Sequence, residues 1–349
     1  MQQILAVALP LCLLAHLVHG EESLDLSRVR ADVMRYVQSL QVQGKPYGCY
    51  RLRPGGESDI YATTDVAILR TVMGENLKTS LTPDQRRQWI DYINSFARED
   101  GVYRGGRHSD QHRNGMVIGA LGALGGRQKH PVQLYREFDT VETVAAWLER
   151  IDWSRQWSAS HLFWGGMHCY SMSAHCTPAW RKAVFDWLDA NVDPATGWWR
   201  KGVKHSDRNQ PLGGGAHIWP MYQHHNRPFP CPEKAIDSIL ALQRPDGSWL
   251  GFANYLDLDA LYGLAYMRTL APNHRAADIR AAVRKHGDLA IRSYPRYLGT
   301  KPDTHRLLAM VGEMGLLQQL NPERFTDAVT WTDIFSDKRL YDTRAVEAR

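Results

Sequence analysis

Gly106-Arg107-His108-Ser109-Asp110-Gln111-His112-Arg113-Asn114 sets two imidazoles beside a carboxylate, a guanidinium and an amide, and Lys204-His205-Ser206-Asp207-Arg208-Asn209 echoes it. Imidazole changes charge near neutral pH, so it serves as acid, base or metal ligand. Guanidinium and amide groups bind anions, most favourably where helix N-termini add positive potential. The His-x-Asp-x-His run offers metal donors at His108, Asp110 and His112. These are near neighbours in one loop with no partner from elsewhere in the chain in view, which is a weak pattern for a metal site. The reading is anion recognition by His108, Arg113, Asn114 and Arg208, with no metal and no cofactor expected.

Two further stretches carry reactive groups. His217, Trp219, Tyr222, His224 and His225 follow a glycine run on one helical segment. His217 and Trp219 fall near its start. Tyr222 shares a face with His217 only if Pro220 distorts the helix, because five residues advance a regular helix to about 140° round. Asn254-Tyr255-Leu256-Asp257-Leu258-Asp259 opens another segment with an amide, a phenol and two carboxylates. Asp257 and Asp259 also fit the ordinary preference for negative charge at a helix start. From these stretches His112, His217, Tyr222 and Tyr255 are the candidate catalytic groups. Arg113, Asn114, His108, Trp199, Arg208, Trp219, Asn254 and Asp257 are the candidate substrate contacts.

What positions them is a repeat of helix pairs with a period near 50 residues. One kind of segment is amphipathic, as in TPDQRRQWIDYINSFARE and TPAWRKAVFDWLDANV, with Pro suited to the first turn. The other kind is apolar nearly all round and rich in Gly and Ala, as in HRNGMVIGALGALGG and THRLLAMVGEMGLLQQL. A helix apolar all round is buried, and a one-faced helix covers it. Six such pairs predict an all-α (α/α)6 toroid over residues 21–320, six inner helices wrapped by six outer ones. An open superhelix of stacked hairpins shares the local pattern. In the closed ring, the connecting loops and inner-helix starts gather at one rim. Seven histidines fall there (His108, His112, His161, His168, His205, His217 and His305), with Tyr61, Asp59, Asp65 and tryptophans including Trp157 and Trp164. Polar residues on a buried helix are costly unless they line a wet cavity.

Ala241-Leu242-Gln243-Arg244-Pro245-Asp246-Gly247-Ser248-Trp249 is similar to the Gln-Trp repeat of the terpenoid-cyclase and prenyltransferase toroids. It sits at the corresponding place, the end of an outer helix and its following turn. The resemblance implies the toroid fold. Asp257 resembles the aspartate of the class II cyclase acid motif, but Ala260 stands where the fuller Asp-x-Asp-Asp pattern has a further aspartate. Other (α/α) toroids serve polysaccharide lyases, glycoside hydrolases and ligand carriers.

Residues 1–20 read as a secretory signal peptide, with an uncharged apolar run from Ile4 to Val18 too short for an ordinary membrane span. An uncleaved anchor is the alternative. The remaining chain is expected to be secreted or periplasmic, with no membrane contact after cleavage. Its four cysteines permit three disulfide pairings or four free thiols. Residues 321–349 are polar and read as a C-terminal extension packed on the outside. The formal charge of +5 over 349 residues, without long basic runs, excludes a nucleic-acid partner. An exported rim of His, Trp, Tyr and Arg suits an acidic polysaccharide or oligosaccharide. The expected chemistry is β-elimination next to a uronate. A two-carboxylate glycoside hydrolase, with Asp59 or Asp65 opposite Asp257 or Asp259, and a non-catalytic binding toroid are the alternatives.

Overall fold

The computed structural model describes residues 22–348, so the signal segment at 1–20 lies outside the described residues. The chain is all-helical apart from one short parallel pair, β1 (Leu24–Asp25) with β2 (Phe325–Thr326). The longer helices in chain order are α1 (Leu26–Leu40), α2 (Ile60–Val72), α3 (Pro83–Asn94), α4 (Asp110–Leu124), α5 (Val141–Arg150), α6 (Phe163–His168, continued by Cys169–Ser171), α7 (Pro178–Asn191), α8 (Gln210–His224), α9 (Pro232–Leu242), α10 (Tyr255–Leu270), α11 (Ala276–Tyr297) and α12 (Thr304–Leu320).

They alternate in character as the periodicity predicts. Every residue of α2 is buried, whereas α3 buries only Trp89 and Ile93. The even-numbered helices pack in succession: α2 on α4, α4 on α6, α6 on α8, α8 on α10, α10 on α12, and α12 on α2. The odd-numbered helices lay one apolar face against them, as Val144, Trp147 and Leu148 of α5 illustrate.

Local capping sets where the buried helices begin. Asp59, Ser109, Asn254 and Asp303 each accept a hydrogen bond from a backbone N–H in the first turn of the following helix. Such a cap satisfies an otherwise orphaned donor and is worth about 1 kcal/mol. The third buried segment departs from regular winding, since Phe163–His168 is a π-helix. It is pressed onto α4 so closely that a Cβ on Gly165 would lie 1.6 Å from the Gln111 carbonyl oxygen. Only glycine fits there, and π-type turns recur at functional sites.

The Gln243 segment ties one pair to the next. Gln243 donates to the Gly247 and Ala282 carbonyls, both at 2.9 Å, and the Trp249 indole donates to the Ile239 carbonyl at 2.8 Å.

The C-terminal segment corrects one expectation. It is not packed on the outside: Trp331, Ile334, Phe335, Leu340, Tyr341 and Val346 are buried. The Thr332 N–H bonds the Val72 carbonyl at the end of α2, and the Tyr341 hydroxyl accepts from the Trp164 indole at 2.5 Å. Its apolar residues fill the space between the helix ends, and burying such side chains outweighs the segment's average polarity. The cysteines Cys49, Cys169, Cys176 and Cys231 are free. No helix among the described residues is long and apolar enough to cross a membrane.

Candidate functional site

Five imidazoles meet in one cavity. His108, His112, His161, His217 and His305 line a space of about 210 Å³ together with Trp157, Trp164, Tyr255 and aliphatic walls. His112 and His305 lie in the first turn of α4 and α12, His108 and His161 just before α4 and α6, and His217 midway along α8. The rings touch in series: His108 and His112 centroids lie 4.4 Å apart, His112 and His161 4.6 Å, His161 and His217 5.4 Å, and His108 and His305 5.3 Å. Backbone details hold them there. Gly106 adopts a φ of 78° and packs so tightly on the Tyr61 ring that a Cβ would come within 2.1 Å, which folds the loop back toward the cavity. Ser109 then caps α4 on the His112 N–H at 3.2 Å.

Three of the rings are anchored through the same nitrogen. His112 Nδ1 bonds the Tyr61 hydroxyl at 2.7 Å, His217 Nδ1 bonds Ser160 Oγ at 2.6 Å, and His305 Nδ1 bonds the Asp65 carboxylate at 2.9 Å. Anchoring one nitrogen fixes the ring's orientation and directs the other toward the open space. For His108 and His161, no protein group among the described residues hydrogen-bonds either ring nitrogen.

Burial favours the neutral form of His108, His112, His161 and His217. Burial first, then the charges of His305, Arg107 and Arg113, push His108 down to about 4; burial with His108 and His305 does the same to His161. His112 and His217 are lowered further in the same direction by burial and then by the adjoining rings. Burial raises the Tyr61 and Tyr255 hydroxyls well above their usual range, so both stay protonated. Asp65 is also raised by burial, against the opposing pull of His305 and Thr304.

Above the cavity opens a vestibule of about 340 Å³, which shares His108, Trp157, Tyr255 and His305 and adds Asp59, Tyr61, Arg107, Asn254, Asp303 and Arg306. Below, Ile334, Phe335 and Leu340 of the C-terminal segment close the cavity.

Several residues singled out from the sequence lie elsewhere. The Tyr222 hydroxyl donates to Asp189 at 2.6 Å, because α8 remains helical through Pro220 and carries Tyr222 away from His217. Arg113 bonds Asp110 and the carbonyls of Tyr103 and His108. Asp110, the middle residue of the His-x-Asp-x-His run, is thereby taken by arginine. Asn114 is buried among Tyr135, Gly165 and Gln128. Trp199 and Trp219 are core residues: the Trp199 indole donates to Leu188, and Trp219 stacks on Trp198 at 5.9 Å. Arg208 is exposed and donates to the Leu242 carbonyl. Asn254 caps α10 at the edge of the vestibule. Asp257 faces inward, where its carboxylate accepts the N–H groups of Trp249, Leu250 and Gly251. Of the wider set of seven histidines, His168 packs lower down against His224 and Tyr341, and His205 stays in its loop.

His108, His112, His217 and Tyr255 do converge. His161, His305, Tyr61, Trp157 and Trp164, which the sequence places at the rim without assigning them a role, join them, as do Arg107 and Arg306. Their shared signal is position, since each lies in the first turns of a buried helix or its preceding loop. Comparison of the chain with protein-family profiles, curated proteins and solved structures finds no match.

Proposed function

We propose that this chain is an exported (α/α)6 toroid that cleaves acidic oligosaccharides from one end by β-elimination. The cycle of contacts from α2 through α12 and back supports ring closure, with residues 321–349 as a plug under the ring. The observation that carries the chemistry is the cavity itself: it unites neutral imidazoles with a protonated phenol and has no carboxylate in its wall. A uronate ring entering by the vestibule meets Arg107 and Arg306, whose charges favour an acid. His217, held by Ser160 at 2.6 Å, takes the proton from the carbon next to the carboxylate. The C4–O bond then breaks, a C4=C5 double bond forms, and Tyr255 gives its proton to the departing oxygen. A base must be neutral and an acid protonated before reaction, and burial sets both residues that way. Ile334, Phe335 and Leu340 on the cavity wall serve in this reading as a floor that admits the end of a chain and not its middle.

Two-carboxylate hydrolysis finds no comparable support. Asp257 is sealed against backbone N–H groups, and Asp65 is held by His305 and Thr304. The test is incubation with uronate oligosaccharides while following the ultraviolet absorbance of the unsaturated product. Release of single unsaturated sugars is expected. No absorbance rise across uronates of differing linkage overturns the reading.

A further inference from the structure

We infer that His108, His112 and His161 bind one divalent transition-metal ion of the zinc class, with a coordination position left open toward the vestibule. Each residue offers a ring nitrogen, and the three nitrogens lie within 4.8 Å of one another. A tetrahedral ion bound at ~2.1 Å holds its ligand nitrogens roughly 3.4 Å apart, so modest rotation of the two less buried rings, His108 and His161, closes the set.

Three features outside the distances point the same way. First, the half-buried His108 and His161 line the cavity with ring nitrogens that no protein group hydrogen-bonds, so both have donor atoms available to a shared ligand. Second, His112 has the support that metal-binding histidines characteristically show: its Nδ1 bonds the Tyr61 hydroxyl at 2.7 Å, leaving Nε2 free. Third, the set is purely imidazole. With Asp110 held by Arg113, no thiolate or carboxylate joins it. That composition suits zinc, copper, nickel or iron and disfavours magnesium and calcium, which take oxygen. Three protein ligands with a vacant fourth position is the catalytic form of a zinc site.

Binding of the ion does not depend on the reaction proposed above, but its use rests on that reading. β-Elimination needs the uronate carboxylate neutralised before the neighbouring proton becomes acidic. Arg113 and Asn114, suited to that work by type, are turned away and bonded elsewhere. A cation in the open position would bind the carboxylate and stabilise the negative charge that develops on it.

The experiment uses the full chain, stripped with a chelator, desalted and titrated with Zn²⁺ and Co²⁺ by calorimetry. One equivalent is expected, and the cobalt form should show the visible absorption of a tetrahedral site. His161→Gln should weaken zinc binding more than about 100-fold, a larger loss than removing a supporting residue produces. X-ray absorption of the wild-type zinc complex should read three imidazoles, which tests the site even if a variant fails to fold. Absence of stoichiometric binding, a zinc shell without imidazole, or undiminished binding by a folded His161→Gln protein would overturn the inference. Product formation is scored separately: metal binding without turnover sinks only the lyase reading, and turnover by metal-free protein that binds no zinc sinks only this one.

Discussion

His112 and His286 are both buried imidazoles, yet their surroundings differ in kind. His286 Nε2 bonds Glu313 at 3.1 Å, while its Nδ1 faces the Gly247 carbonyl at 3.3 Å and Asp257 at 3.6 Å. Glu313 also accepts the Asn254 N–H, and Asp257 accepts three more N–H groups from the 249–251 turn. Here every group is answered by another. Burial works against protonation of His286, and the hydrogen bond and charge of Glu313 with the charge of Asp257 outweigh it, so His286 is raised. Burial brings Glu313 up to about 7. The pair holds a proton between them through the neutral range, and the network ties α10, α11 and α12 together. In the cavity the balance is reversed. Its imidazoles crowd one another, Asp65 bonds His305 alone among them, and several ring nitrogens have no protein partner. Equally buried histidine is a strut where its valences are filled and a site where they are not.

That contrast breaks first on activity. His217→Gln should cut elimination by ~10²–10⁴-fold, the usual contribution of a general base, while urea unfolding stays near wild type. Equal losses of activity and stability would erase the distinction. Glu313→Ala should do the opposite, costing about 3–5 kcal/mol because it removes one partner of a buried pair and leaves His286 with only Asp257 and the Gly247 carbonyl on its other nitrogen. Denaturant titration measures this, and a cost below that of an ordinary surface change would mean the network is no strut. Asp65→Asn tests the intermediate case, since Asp65 holds both His305 and Thr304 at the cavity wall. A cost of about 1–3 kcal/mol in denaturant titration, with turnover little changed, is expected.

A smaller effect concerns pH. His108 and His161 have folded-state values near 4 against an ordinary 6.5, so the unfolded chain binds their protons first as pH falls. Their contribution to stability is full above about 6.5 and declines from there toward 4. Denaturation midpoints taken across that window should fall with pH, and His161→Gln should flatten the slope. Smallest is Tyr222→Phe. It removes the bond to Asp189 and should cost about 1 kcal/mol without altering turnover, which an assay of the folded variant checks.

The parts legible in the sequence are those set by neighbours along the chain. The alternation of one-faced and apolar segments predicts the alternating helices because a 3.6-residue period reports burial directly. The caps at Ser109 and Asn254 follow from residue type. Candidate residues fared differently. His108 and His112 were marked by their own spacing. Tyr222, Arg113 and Trp219 carried equally suggestive types, but rotation about a helix axis decides direction, and a single proline or a close arginine partner changes it. The C-terminal segment misleads for a related reason: its mean polarity hides Trp331, Phe335 and Tyr341, which pack under the cavity.

By itself, then, the sequence determined an all-helical chain with reactive residues concentrated at helix starts, because backbone hydrogen bonding and hydrophobic periodicity act over a few residues. Only the tertiary structure decided which of those residues share one space. Asp65 and His305 stand 240 positions apart, and Trp164 and Tyr341 stand 177 apart. Such pairs meet through the packing of helices against one another, and no local pattern encodes the rotation and depth at which each side chain arrives.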